Sequence, residues 1–370
     1  MYSQNDLDEA VASGALSADA AASLRAFVDH QRASPAVDEE NFRLITGFND
    51  IFVSIAAAIL LFAVGWIGQS IGQSSGLIVD MDGPSPLAPL FVAATAWGLA
   101  LFFTAKRRMA LPSILLLLAF VGGVLAFIGF SLALAIGPDS FENNERGAAL
   151  VAAVSAAVAA GAAWLHWNRF RVPITVAAGA ASVAGIALAL VASALGNIPN
   201  LEQIILGFVL VLGIGVFLFA MRWDSSDQAR VTRRSDVAFW LHLLAAPMIV
   251  HPVFTLLGLN DGTATIGEGF VVIALYVALG ITALAIDRRA LLVSALAYVL
   301  YALSELFKQV GAVELNVALT ALVIGSALLM LSAFWHQARS VVVRRLPDAL
   351  QSKLPLLDRA AGVPSPAPAA

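Results

Sequence analysis

Cysteine is absent from this 370-residue chain, which removes disulfides, thiolate metal ligands and cysteine nucleophiles together. Charge is scarce too. Asp, Glu, Lys and Arg make up 12% of the residues, against roughly 25% in a soluble domain. Lysine is confined to Lys106, Lys308 and Lys353, so the basic set is almost entirely arginine. The net charge of -4 is small and argues against nucleic acid as a partner. The sequence also lacks a Walker-type phosphate loop, a zinc-protease helix motif, a nucleophile elbow and a dinucleotide-binding glycine fingerprint. No catalytic residue, cofactor or metal site is therefore expected, and the chain does not read as an enzyme.

What the chain has is apolar surface. With 60% hydrophobic residues and a mean hydropathy of +0.86, it carries more than one soluble core can hide. The lipid bilayer is its expected solvent. Ten apolar segments approach the roughly 20 residues needed to cross hydrocarbon, at about 51–68, 88–105, 110–136, 147–165, 172–195, 202–221, 237–259, 267–286, 290–310 and 315–334. The expected fold is all-α: a polytopic integral membrane helical bundle of about ten transmembrane helices with a small N-terminal soluble helical hairpin. The first residues lack a basic region followed by an apolar run, so no cleavable signal is expected and the first apolar segment reads as a permanent span.

Charge supports that count. With a cytosolic N-terminus, all but Arg146 and Lys308 of the 21 basic residues fall in segments on the cytosolic side, as the positive-inside rule asks. Five tryptophans, Trp164, Trp167, Trp223, Trp240 and Trp335, lie at inner ends of spans, while Trp97 sits mid-span. The opposite loops are acidic, with Asp80, Asp82, Asp139, Glu142, Glu145, Asp261 and Glu268. They lack the spacing of a metal-binding loop.

Four regions follow from this reading: a cytosolic hairpin over 1–37, an amphipathic lead-in helix over 38–50, a transmembrane domain over 51–335, and a basic tail rich in Pro and Ala over 336–370. In the hairpin, Gly14 ends a first helix and Ser17 caps a second, whose narrow apolar stripe needs a partner. That partner would be the membrane domain, a second copy of the chain, the bilayer surface or a cytosolic protein. The basic part of the tail suits anionic headgroups.

Two kinds of span stand out. The fourth and fifth carry small residues at steps of four, Ala149, Ala153, Ala157 and Gly161 in one and Ala177, Ala181, Gly185 and Ala189 in the other, which predicts close helix packing. The seventh holds His242, Pro247, His251 and Pro252, and each proline frees a backbone carbonyl. The ninth carries a polar stripe, Ser294, Tyr298, Tyr301, Glu305 and Lys308, on one helix face. Glu305 and Lys308 either pair within the span or reach out to headgroups. At about 1.5 Å per residue, His251 and Glu305 share a depth. His242, His251, Tyr298, Tyr301, Glu305 and Lys308 thus form the candidate polar pathway, for a small polar solute or a proton. A weak internal echo links the basic turn Arg107 to Ser113 with Arg288 to Ser294, and Arg171 to Thr175 is a looser version of it.

The opening LDEAVASGALSADAAASLRAF, followed by many apolar spans, together with FWLHLLAAPMIVHP and DRRALLVSALAY, resembles the bacterial predicted-membrane-protein families that pair a short N-terminal cytosolic helical domain with a polytopic membrane region. The resemblance implies an inner-membrane protein and supplies no substrate. Small-solute or proton-linked transport is one expected function. A non-transporting sensor or scaffold acting through the cytosolic hairpin is the other.

Overall fold

The computed structural model of the chain describes residues 10–24, 48–80, 83–137, 140, 144–196, 198–228, 230, 232–258, 266–309 and 316–357. Every regular element among them is helical. Residues 44–357 form one compact unit, and 1–43 with 358–370 belong to another. Within the second unit the described stretch turns at Gly14, which takes a φ of +76°, the left-handed region that glycine enters without steric cost. The Ser17 hydroxyl then accepts from the Ala20 N–H at 3.1 Å and starts a helix over 18–24. The rest of the expected hairpin, Asp38 to Glu40 of the lead-in helix, and the outer-loop residues Asp82, Asp139, Glu142 and Asp261 lie outside the described residues.

The larger unit is a helical bundle whose elements run α1 (Phe48–Ser74), α2 (Leu87–Phe103), α3 (Ala110–Ile136), α4 (Glu145–Phe170), α5 (Ile174–Leu195), α6 (Leu201–Ser225), α7 (Arg233–Leu256), α8 (Ile266–Ile286), α9 (Ala290–Gln309), α10 (Asn316–Ala333), α11 (Trp335–Val343) and α12 (Asp348–Gln351). By length and composition seven of them, α1 and α3 to α8, suffice to cross a membrane. An eighth span results if α10 and α11, bent by 74° at their junction, are taken as one. The apolar helices in α2 and α9 are shorter. The protein is therefore a multi-pass membrane protein.

Its outside is the greasier side. Phe52, Phe62, Trp66, Leu218 and Leu329 are exposed, while alanines such as Ala96, Ala159, Ala238 and Ala245 are buried. With no hydrophobic drive between helices in lipid, small residues at the contacts let backbones approach and gain dispersion energy.

Neighbours in sequence pack as hairpins, and α7 ties them together through contacts with α5, α6 and α9. It is the most enclosed span. Half of its most apolar stretch is buried, against 17% to 33% in the other six. It also runs as one helix through both Pro247 and Pro252.

The α4–α5 contact forms, and it follows the expected ladders only in part: Ala153 and Ala177 are buried, and a Cβ on Gly185 of α5 would stand 3.7 Å from that of Ala156. On α4 the buried stripe is Ala153, Ala156, Ala159 and Ala163, and Gly161 faces open space. Strict steps of four advance 400° at 3.6 residues per turn, so a ladder drifts about 40° per step off a straight seam. Mixed steps of three and four stay on it.

At one crossing a glycine is required sterically. A Cβ on Gly213 of α6 would meet the backbone and Cβ of Met248 in α7 at 2.9 Å, whereas one on Gly215 would meet nothing within 4 Å. Alanine in a helix is favoured over glycine by about 1 kcal/mol, while overpacking a rigid contact costs about 1–3 kcal/mol. Gly213→Ala should therefore lower the unfolding temperature in detergent, and Gly215→Ala should hold or raise it. Equal behaviour of the two variants would contradict the α6–α7 crossing.

Candidate functional site

The even-numbered helices α2, α4, α6 and α8 all turn back at the arginine-rich end of the bundle. Each turn carries a non-glycine residue at positive φ: Arg108 at 53°, Arg171 at 55°, Arg230 at 53° and Asp287 at 56°. A left-handed residue stops a helix and lets its last carbonyls find donors, at a cost of roughly 1–2 kcal/mol for a side chain with a Cβ. The Arg171 and Asp287 turns share one geometry, with the next helix starting three residues on; after Arg108 it starts two residues on. The looser sequence echo is thus the better structural match.

The Asp287 turn organises a buried charged cluster. Arg288 points into the bundle, where its Nη2 donates to Asp224 Oδ1 at 2.6 Å and to the Ser235 carbonyl at 3.0 Å. Its Nε donates to Asp224 Oδ2 at 3.3 Å, and the guanidinium lies over the Phe239 ring at 6.0 Å. His242 completes this half with its Nε2 3.0 Å from Asp224 Oδ2. Since a carboxylate only accepts, Nε2 carries the proton. The other ring nitrogen, Nδ1, is buried with no hydrogen-bond partner among the described residues.

Asp287 itself reaches the other way. Its Oδ2 accepts from Arg230 Nη1 at 2.9 Å and its Oδ1 from the Trp335 indole N–H at 2.7 Å. Arg339 Nε stands 3.7 Å from Oδ1. Arg230 Nη2 also donates to the carbonyls of Ile286 and Asp287 at 3.1 Å. Arg339 donates to the carbonyls of Pro355 at 2.6 Å and Leu356 at 3.2 Å. All six ionisable members are buried, Asp224 and His242 completely.

Residues 335–357, expected as a tail from 336 on, are therefore part of the bundle as far as Leu357. Leu354 and Val343 pack with Ile286, Leu291 and Leu292, and the Gln228 side chain donates to the Ser352 carbonyl at 2.5 Å. The basic residues here are not all surface markers either. Arg230, Arg288 and Arg339 balance buried carboxylates instead of facing headgroups.

No family model, curated protein or solved structure matches this chain. The site must be read from its own geometry.

Of the six residues singled out in the sequence, His242 turns to α6 and Asp224. His251 turns to α9, where its Nδ1 lies 2.6 Å from the Tyr298 hydroxyl, and Tyr298 stacks on Phe254 at 4.6 Å. His251 is exposed on the bundle surface, so the two histidines do not share one chamber. The backbone of Tyr301, Glu305 and Lys308 is helical within α9, and their side chains lie outside the described residues.

Sequence reading missed Asp224, Arg230, Asp287, Arg339 and a third intramembrane histidine. His166 was placed one residue beyond the fourth span, but α4 continues to Phe170. It is fully buried, its Nδ1 3.2 Å from the Thr175 hydroxyl, and Trp97, Phe120 and Phe170 surround it at 4.6–6.2 Å between ring centroids. The available signals were an acid, Asp224, within the last turn of a long apolar helix, and a histidine between two tryptophans.

Chemically the larger cluster holds a proton donor–acceptor pair, Asp224 and His242, clamped by a fixed cation. Among the described residues no group of three or more His, Asp or Glu side chains could hold a metal ion. Losing one partner of a buried pair costs about 3–5 kcal/mol, because a charge is left uncompensated, whereas replacing both by apolar groups is often neutral. Asp224→Leu should destabilise strongly, and adding Arg288→Met should restore part of the loss. The expected coupling in a double-mutant cycle, read by equilibrium unfolding in mixed micelles, is about 0.5–3 kcal/mol. Strict additivity would show that the two do not share one cluster.

Proposed function

We propose that this is a ten-span protein of the bacterial inner membrane, with both termini in the cytosol, and that it moves protons or a small polar solute across the bilayer. Ten spans follow if α2 and α9 cross along with the seven long helices and the bent α10–α11 pair. The orientation follows from the arginine-rich turns, which belong on the cytosolic side. In this reading the charged cluster is the cytosolic gate, drawn closed. The observation that carries it is the Asp224–His242 pair: ionisable groups inside spans are costly and mark ion or proton pathways, and the Nδ1 of His242 has no hydrogen-bond partner among the described residues. The outer stage of the path would use His251, Tyr298, Tyr301, Glu305 and Lys308.

A sensor or scaffold role has its own support. The C-terminal segment is tied to the same cluster through Trp335 and Arg339, so any change in the cluster would be felt at the surface without transport.

His242→Gln separates the two. Glutamine keeps an N–H that can donate to Asp224 but cannot titrate. In proteoliposomes with an imposed pH gradient and an internal pH dye, the wild type should dissipate the gradient and His242→Gln should do so about a hundredfold more slowly or worse, as expected when general acid–base work is removed. Unfolding temperature and membrane insertion should hold. If the wild type moves neither protons nor any proton-linked solute, transport is excluded and the sensor reading takes its place.

A further inference from the structure

Between α8, α9 and α10, at the arginine-rich end, lies a cleft of about 130 Å³. It is open on one side, and Val293 at its mouth is 65% exposed. Its walls are mostly hydrocarbon, Leu292 and Leu296 from α9 with Leu328 and Leu331 from α10, beside Tyr276 of α8 and Ser332 of α10. Among the described residues the one charged group lining it is Arg289, whose guanidinium lies 4.9 Å above the Trp335 ring.

We propose that this cleft seats one acyl chain of an anionic phospholipid, with the lipid phosphate on Arg289. Three observations lead there. First, the opening faces the apolar outer surface that the bilayer covers, so its solvent is lipid tail rather than water. A space near 150 Å³ lined by aliphatic groups accommodates a body about the size of benzene, and this one therefore holds a few methylenes of a chain, not a whole lipid. Second, the cation stands at the arginine-rich end, at the start of α9, where headgroups begin. Basic pockets between spans at that level suit acidic headgroups, and a planar guanidinium is matched in geometry to phosphate. Third, the arrangement is amphipathic in the right order, with the guanidinium at one end of the cleft and leucines deeper along α9.

The seat also has a reason to matter. The ring beneath Arg289 is that of Trp335, which donates to Asp287. A phosphate held on Arg289 would hold the guanidinium down on that ring and so brace the C-terminal segment against the cluster. Lipid composition would then act on the same turn that fixes Arg288. None of this depends on whether the protein transports anything.

The test uses the full-length protein purified in a mild non-ionic detergent, with dioleoyl phosphatidylglycerol as probe and dioleoyl phosphatidylcholine and inorganic phosphate as controls. Native mass spectrometry should show phosphatidylglycerol retained in preference to phosphatidylcholine, and only the anionic lipid should raise the unfolding temperature. Arg289→Gln should weaken retention by about tenfold, the loss expected for one hydrogen bond to a charged group. Val293→Trp, an exposed position where folding is not at risk, should obstruct the mouth and reduce retention with Arg289 intact. Equal retention of both lipids by the wild type would overturn the proposal, as would Arg289→Gln or Val293→Trp binding like wild type. Stabilisation by inorganic phosphate equal to that by the lipid would mean an anion site without a chain, and would overturn it too.

Discussion

Two consecutive residues of opposite charge, Asp287 and Arg288, point in opposite directions from one turn, and the arginine-rich end of the bundle depends on that divergence. Arg288 goes inward to Asp224 on α6. Asp287 goes to Arg230 in the α6–α7 turn and to Trp335 and Arg339 on α11. The positive φ of Asp287 is what separates them. Aspartate is among the few residues other than glycine that enter this region readily, and the cost of roughly 1–2 kcal/mol is small beside that of stranding either charge. The ideal cost of burying one such ion is of order 20 kcal/mol, so neither side chain could be sequestered without its partners already in place.

Seen this way, α6, α7, α8, α9 and α11 are joined by polar contacts in a region where apolar packing has little specificity. Lipid tails compete equally for any leucine, but not for a carboxylate. The cluster fixes which helices meet at this end, and it draws α11 onto the bundle through Asp287 with Trp335 and Arg339, while Arg339 in turn holds the carbonyls of Pro355 and Leu356. The same rigidity makes it suited to gating, since opening would break several contacts at once. That requirement favours an all-or-none change over gradual leakage.

The helical class and the helix positions were legible because a membrane span needs only length and hydropathy, and both are properties of a contiguous run. The polar site was not, for definite reasons. Arginines at short turns normally mark the cytosolic side, so Arg230 and Arg288 carried no sign that they turn inward. Their acids, Asp224 and Asp287, fall at helix ends, 63 positions apart, and nothing local pairs them. His166 was lost to a boundary drawn at 165, five residues before α4 ends at Phe170. His242 was recognised, but its partner depends on rotation about α7, and a count of residues per turn gives only its phase relative to His251. The small-residue ladders held only in part, as Ala153 and Gly185 are at or near the contact while Gly161 faces open space, since a step of four is not the helical repeat.

The most direct test is hydrogen–deuterium exchange on the protein in detergent, comparing wild type with Asp287→Asn. Asparagine keeps the size of the side chain and tolerates positive φ, yet it cannot neutralise Arg230 and Arg339. If Asp287 holds the C-terminal segment, amides in 335–357 and in the first turn of α9 should exchange much faster in the variant, with α1 to α5 unchanged. Unchanged protection of 335–357 would contradict the account, because the segment would then be held without Asp287, by its apolar contacts and the Gln228–Ser352 hydrogen bond.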